Sequence, residues 1–150
     1  MKNIIIASTS TIHGGESLDY LLDELQVFFK NTSEILFIPY ARPSGITHDE
    51  YTEKVNGAFK KINKKVVGLH EFDDPKEAIM NAKGIFTGGG NTFVLVNQLY
   101  KNNVIDTIKM VVKKSRPDSG VNKCTTTDLL FLLLCLFVIP IYGITNNFFS

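Results

Sequence analysis

The chain has 150 residues, enough for one domain with a substantial core. Its formal net charge of +1 creates no field that would draw in nucleic acid or an acidic surface, so no nucleic-acid partner is expected. Cys124 and Cys135 have no metal-ligand spacing around them, which argues against a disulfide framework and for a reducing, cytoplasmic setting.

Ile4-Ile5-Ile6-Ala7 is a continuous apolar run and predicts a strand buried on both faces. It is too short for a signal-peptide core. Ser8-Thr9-Ser10-Thr11 and His13 follow in a polar connection at the strand's C-terminal end, the edge where open parallel sheets bind ligands. Ser8 and Ser10 read there as loop hydroxyls and caps for the next helix, in preference to partners of His13 in nucleophilic catalysis. Leu18, Leu21, Leu22, Leu25 and Phe28-Phe29 recur at helical spacing and predict an amphipathic helix over Ser17–Lys30. Ile35–Tyr40 predicts a second buried strand, stopped by Pro39, with Arg42 in the loop that follows.

Asp49 to Ile62 predicts a helix with Tyr51, Val55, Ala58, Phe59 and Ile62 on one face, and Asp49-Glu50 complement its dipole. Lys60, Lys61, Lys64 and Lys65 read as a solvated cluster at its end. Val66–His70 predicts a third strand, and Asp74-Pro75 caps a helix with Ala78, Ile79 and Ala82 on its buried side. His48 and His70 have no second ligand at a useful spacing, so they read as surface or strand-end histidines and no metal is expected.

Gly84-Ile85-Phe86-Thr87 is a fourth strand leading into Gly88-Gly89-Gly90-Asn91-Thr92-Phe93, with helical spacing resuming at Val94, Leu95, Gln98 and Leu99. Strand, glycine turn and helix together free the backbone from Cβ atoms and aim amides and a helix dipole at one point. The turn through Gly88, Gly89, Gly90 and Asn91 therefore suits an anion or a developing oxyanion, the alternative being a tight βα turn in which glycine only allows close packing. The spacing is neither a dinucleotide fingerprint nor a P-loop, so no nucleotide cofactor is expected. The order is β-α-β-α-β-α-β-α, which predicts a parallel sheet covered on both faces, and a second helix-like stretch over Val104–Lys114 follows, after which another strand is due.

The alternation then breaks. From Leu129 to Ser150 there is no charged residue, and Leu129–Ile144 forms an apolar stretch interrupted by Pro140 and Gly143. It is shorter than the roughly twenty residues of a spanning helix, and it is the one segment through which a membrane association is conceivable. Leu132–Ile139 could alternatively supply a core strand. The preferred reading separates residues 1–115, an α/β domain, from residues 116–150, a tail arising from a frameshift, a retained intron or a mis-joined gene model.

The series Ile35–Ala41, Asp49-Glu50-Tyr51-Thr52, Val66–His70, Asp74-Pro75 with Ala78-Ile79, Gly88–Phe93 and Val111–Lys114 resembles the peptidase E family of serine dipeptidases, over about residues 1–114. The resemblance implies a flavodoxin-like three-layer parallel sheet, related to class I glutamine amidotransferases and here truncated. It also implies cleavage after an N-terminal aspartate in small peptides, and a role for Gly88–Gly90 beside the oxyanion. The family's next strand ends in a Gly-Trp-Ser-Ala-Gly nucleophile elbow, which these 150 residues do not contain. Ser119-Gly120 lacks the flanking pattern, and Thr145 is followed by Asn146-Asn147 where small residues are needed. No histidine lies downstream to act as base. The expectation is an inactive chain with no catalytic residue of its own. The alternative is a non-catalytic module that binds an anion or a partner through the glycine turn.

Overall fold

The computed structural model describes residues 5–7, 16, 18–42, 45–113 and 136–140. Its elements are β1 (Ile5–Ala7), α1 (Leu22–Phe28), β2 (Glu34–Ile38), α2 (His48–Lys60), β3 (Lys65–Gly68), α3 (Pro75–Asn81), β4 (Gly84–Thr87), α4 (Thr92–Lys101), α5 (Ile105–Lys113) and β5 (Leu136–Pro140). One sheet joins the strands in the order β1-β5-β4-β2-β3.

β2 lies between β3 and β4 and runs parallel to both, with Leu36 opposite Val67 and Ile85. Its side chains alternate between two cores. Leu36 and Ile38 face a cluster with Ile79, Ile85, Leu95, Leu99 and Ile108, contributed by α3, β4, α4 and α5. Ile35 and Phe37 face the other, with Leu25, Phe29, Val55, Phe59 and Phe86. Helices thus cover both faces of a three-layer α/β domain with the flavodoxin-like arrangement. Each fully buried side chain of this size contributes about 2 kcal/mol of transfer free energy. On the second face Phe37 stacks on Phe86 at 5.6 Å and Phe59 meets Phe86 edge-on at 5.2 Å.

Several expected boundaries move for local reasons. The predicted Ser17–Lys30 helix is a 3-10 turn over Asp19–Leu21 followed by the short α1. The third strand stops at Gly68, because the Glu71 carboxylate accepts the Gly68 N–H at 2.7 Å and residues Leu69–Glu71 wind into a 3-10 turn. α2 starts one residue early on a capping box: Thr47 Oγ1 accepts from the Glu50 N–H at 3.1 Å, and Glu50 accepts from the Thr47 N–H at 2.7 Å. α3 starts as expected, with Asp74 Oδ1 accepting from the Lys76 and Glu77 amides ahead of Pro75. The lysine cluster is largely engaged within the chain. Lys61 reaches Glu16 at 2.6 Å and Asp19 at 2.7 Å, Lys64 donates to the Thr32 carbonyl at 2.7 Å, and Lys65 lies 3.5 Å from Glu34.

The all-parallel expectation needs correction at one strand. β5 inserts between β1 and β4 and pairs antiparallel with both, with Val138 opposite Ile5 on one side and Phe86 on the other. Part of the apolar tail therefore occupies a central position in the sheet. β1 and β4, which run in the same sense, do not pair directly. The rest of Leu129–Ile144 lies outside the described residues. Among the described residues no helix is long and apolar enough to cross a membrane.

Candidate functional site

The C-terminal ends of β2 and β4 bring two loops together. β4 is buried throughout, and its chain leaves the sheet at Gly88, whose N–H donates to the Ile38 carbonyl of β2 at 3.1 Å. Three residues on, the Asn91 N–H donates to the Ala41 carbonyl at 2.6 Å, so the turn is fastened to the β2 loop at both ends. Between these points the Tyr51 hydroxyl of α2 donates to the Gly89 carbonyl at 3.0 Å.

The three glycines therefore have different tasks. A Cβ on Gly88 would lie 2.6 Å from Tyr51 Oη and 2.8 Å from the Phe37 ring, so this glycine makes room for the tyrosine. Gly90 has φ +153°, and a Cβ there would run into the Ala41 carbonyl oxygen. The Gly88 amide is taken by a β2 carbonyl and the Asn91 amide by the Ala41 carbonyl in the loop that follows β2. The Gly89 and Gly90 amides have no acceptor among the described residues, and Gly90 is exposed. Asn91 caps α4, its Oδ1 accepting from the Val94 N–H at 3.1 Å, which places the helix's positive end beside the same two amides. Adjacent free N–H groups at a helix start can solvate an anion or an oxyanion.

Tyr51 is 7% exposed, its ring meets Phe37 edge-on at 5.1 Å, and the Arg42 guanidinium lies over the ring, 5.1 Å from its centroid. Burial raises the Tyr51 pKa above 10.0 against the opposing pull of Arg42, so the hydroxyl stays protonated and able to donate at neutral pH. Arg42, read from the sequence as a loop residue, is exposed at the rim of the turn.

His48 and His70, treated separately in the sequence, come together. Their ring centroids lie 5.4 Å apart, Tyr40 packs on His48 at 5.2 Å, and His70 Nε2 lies 2.7 Å from Asp49 Oδ1. His70 Nδ1 is buried and has no hydrogen-bond partner among the described residues. Desolvation and the neighbouring His70 lower the His48 pKa from 6.5, with Asp49 opposing. These rings border a cleft of ≈ 440 Å³ shared with Asp73, Gln98 and Asn102. Among the described residues no group of His, Cys, Asp and Glu could hold a metal ion. A larger cleft of ≈ 600 Å³ lies beside Thr32, Ser33 and Lys83, at the N-terminal ends of β2 and β4. That is the edge away from the glycine turn, whereas open α/β sheets bind ligands at the carboxyl ends of their strands.

Sequence reasoning missed Tyr51 as part of the site, since its helical spacing marked it only as core. It also missed the capping box, although Thr47-x-x-Glu50 was legible as one. Ser8, Thr9, Ser10, Thr11, His13, Ser119, Gly120, Cys124, Cys135 and Thr145 lie outside the described residues.

The model of peptidase family S51 matches residues 4–122. A peptidase E of Shewanella denitrificans is 36% identical over 118 residues, covering 79% of this chain and 50% of the relative. A probable alpha-aspartyl dipeptidase of Drosophila melanogaster is 37% identical over 122 residues, with 79% and 50% covered. A peptidase E of Streptomyces coelicolor is 33% identical over 123 residues, with 82% and 49% covered. The chain spans about half the length of the curated relatives it matches. With its βα order and its glycine turn between β4 and α4, the chain belongs to peptidase family S51.

Proposed function

We propose that this chain carries the oxyanion side of a serine-type dipeptidase site for peptides with an N-terminal aspartate, and that by itself it does not hydrolyse them. The observation that carries the reading is the pair of adjacent amides, Gly89 and Gly90, left without acceptors among the described residues at the sheet's carboxyl edge. In acyl transfer a serine Oγ attacks the peptide carbonyl while a histidine takes its proton, and negative charge collects on the carbonyl oxygen. Two preset N–H donors at that oxygen stabilise the transition state more than the ground state, and one such donor is worth about 10²–10³ in rate. Arg42, exposed beside the turn, is suited to pair with the aspartyl carboxylate of the substrate.

The 150 residues contain no Gly-x-Ser-x-Gly elbow and no histidine after His70, so nothing in them matches the family's nucleophile and base. This favours a second reading, a non-catalytic module that binds an anionic group at Gly89–Gly90. Incubation of the purified chain with an aspartyl dipeptide, with backbone amide NMR recorded alongside, tests both. The expected outcome is no release of free aspartate above the blank, with shifts confined to the glycine turn. Turnover by the purified chain would overturn the inactive assignment. A turn that ignores the dipeptide would overturn the site itself.

A further inference from the structure

We infer that Tyr51 is a positioning residue, whose hydroxyl, by holding the Gly89 carbonyl, aims the Gly90 N–H into the anion site. The inference rests on the oxyanion reading of the glycine turn and adds the residue that orients it. The Gly89 carbonyl and the Gly90 N–H belong to one peptide unit, and no peptide bond among the described residues is cis. In a trans peptide the C=O and N–H point in opposite directions across a rigid plane. A donor fixed on the carbonyl side at 3.0 Å therefore sets the direction of the N–H on the other side.

The surrounding packing suits this task. The turn's other two fastenings, Gly88 N–H to Ile38 and Asn91 N–H to Ala41, fix its ends but leave the Gly89–Gly90 plane able to rotate. Three consecutive glycines make such a rotation inexpensive, so without a third fastening both orientations would be populated. Tyr51 is itself packed against the Phe37 ring and under the Arg42 guanidinium, and the missing Cβ of Gly88 admits its hydroxyl. Its base in α2 is secured by the Thr47–Glu50 capping box one turn earlier. A rigid donor can thus bias a flexible acceptor.

The test uses the whole chain, Tyr51→Phe, and inorganic phosphate as the anion, followed by backbone amide NMR. Tyr51→Phe removes one oxygen and keeps the ring that packs against Phe37 and Arg42. In the unmodified chain the Gly89 and Gly90 amides are expected to shift and saturate with phosphate. In Tyr51→Phe the affinity falls about fivefold, the loss of one oriented donor, and the Gly90 N–H order parameter drops while β4 and α4 signals stay in place. A hydroxyl with a merely structural role would lower the melting temperature and leave the Gly90 order parameter and phosphate affinity unchanged, and that result would overturn the inference. If neither protein responds to phosphate, the oxyanion reading fails, and the order parameter still decides on Tyr51. A drop supports positioning, and no change removes it.

Discussion

His48 combines three unfavourable conditions for a proton. It is the first residue of α2, where the helix dipole is positive, it is partly desolvated, and His70 stands 5.4 Å away. The opposing group is Asp49, which is shared with His70, while Tyr40 and Asp73 complete the surroundings. Because its folded pKa lies below the ordinary 6.5, the folded state binds fewer protons there than the unfolded state. The associated stability is fully present above the unfolded value of 6.5 and is lost as pH falls from there through the lower folded value. Acidification from about pH 8 to about pH 5 should therefore destabilise the protein more than it destabilises His48→Gln. Urea unfolding of both proteins at the two pH values measures the difference, and parallel losses would contradict the assignment. Neither the pairing nor its sign was legible in the sequence. His48 and His70 stand 22 positions apart, and only the adjacency of the β2 and β3 ends joins them.

At the scale of elements, β3 closes one edge of the sheet, and its outward amides are not left open. The Lys65 N–H points inward to the Ser33 carbonyl at 2.9 Å, so Val66 and Gly68 present theirs to the outside. Asn56 Oδ1 accepts the first at 2.9 Å and Glu71 Oε1 the second at 2.7 Å. Both acceptors occupy positions where another chain's strand would otherwise pair. Asn56→Ala and Glu71→Ala should each cost about 1 kcal/mol of stability, from the hydrogen bond lost. The double variant should sediment as larger species than the unmodified chain at equal concentration. An unchanged sedimentation profile would show that the edge is guarded by something else. The strand itself was legible from Val66-Val67. Its protection was not, because the acceptors come from a preceding helix and a following turn whose orientation no local pattern encodes.

For the molecule as a whole, β5 decides how the sheet is closed on the β1 side. Among the described residues β1 pairs with β5 alone, and β5 also pairs with β4, so these two ladders depend on five residues of the tail. Val138→Pro removes an amide from the middle of that strand, a position where proline is not tolerated in a central strand. The expected outcome is a lower thermal midpoint with loss of the β1 ladder, read by circular dichroism and by hydrogen exchange at Ile5–Ala7. Exchange there as slow as in the unmodified chain would mean that β1 is held by other contacts. Pro140, by contrast, sits at the strand's end opposite Gly84, where a missing donor matters less.

By itself the sequence determined the succession of elements through β4 and α4, the burial of β2 on both faces, and the glycine turn at the sheet's carboxyl edge. These follow from hydrophobic period, capping residues and the absence of Cβ atoms, which act over a few residues along the chain. Tertiary structure decided which two amides of the turn have no acceptor among the described residues, which tyrosine holds it, and which histidines meet. It also decided the antiparallel placing of β5 between strands that lie far apart in the sequence. Each of these depends on a pairing between distant residues, and that information resides in the packed arrangement of the layers, not in the pattern of any one segment.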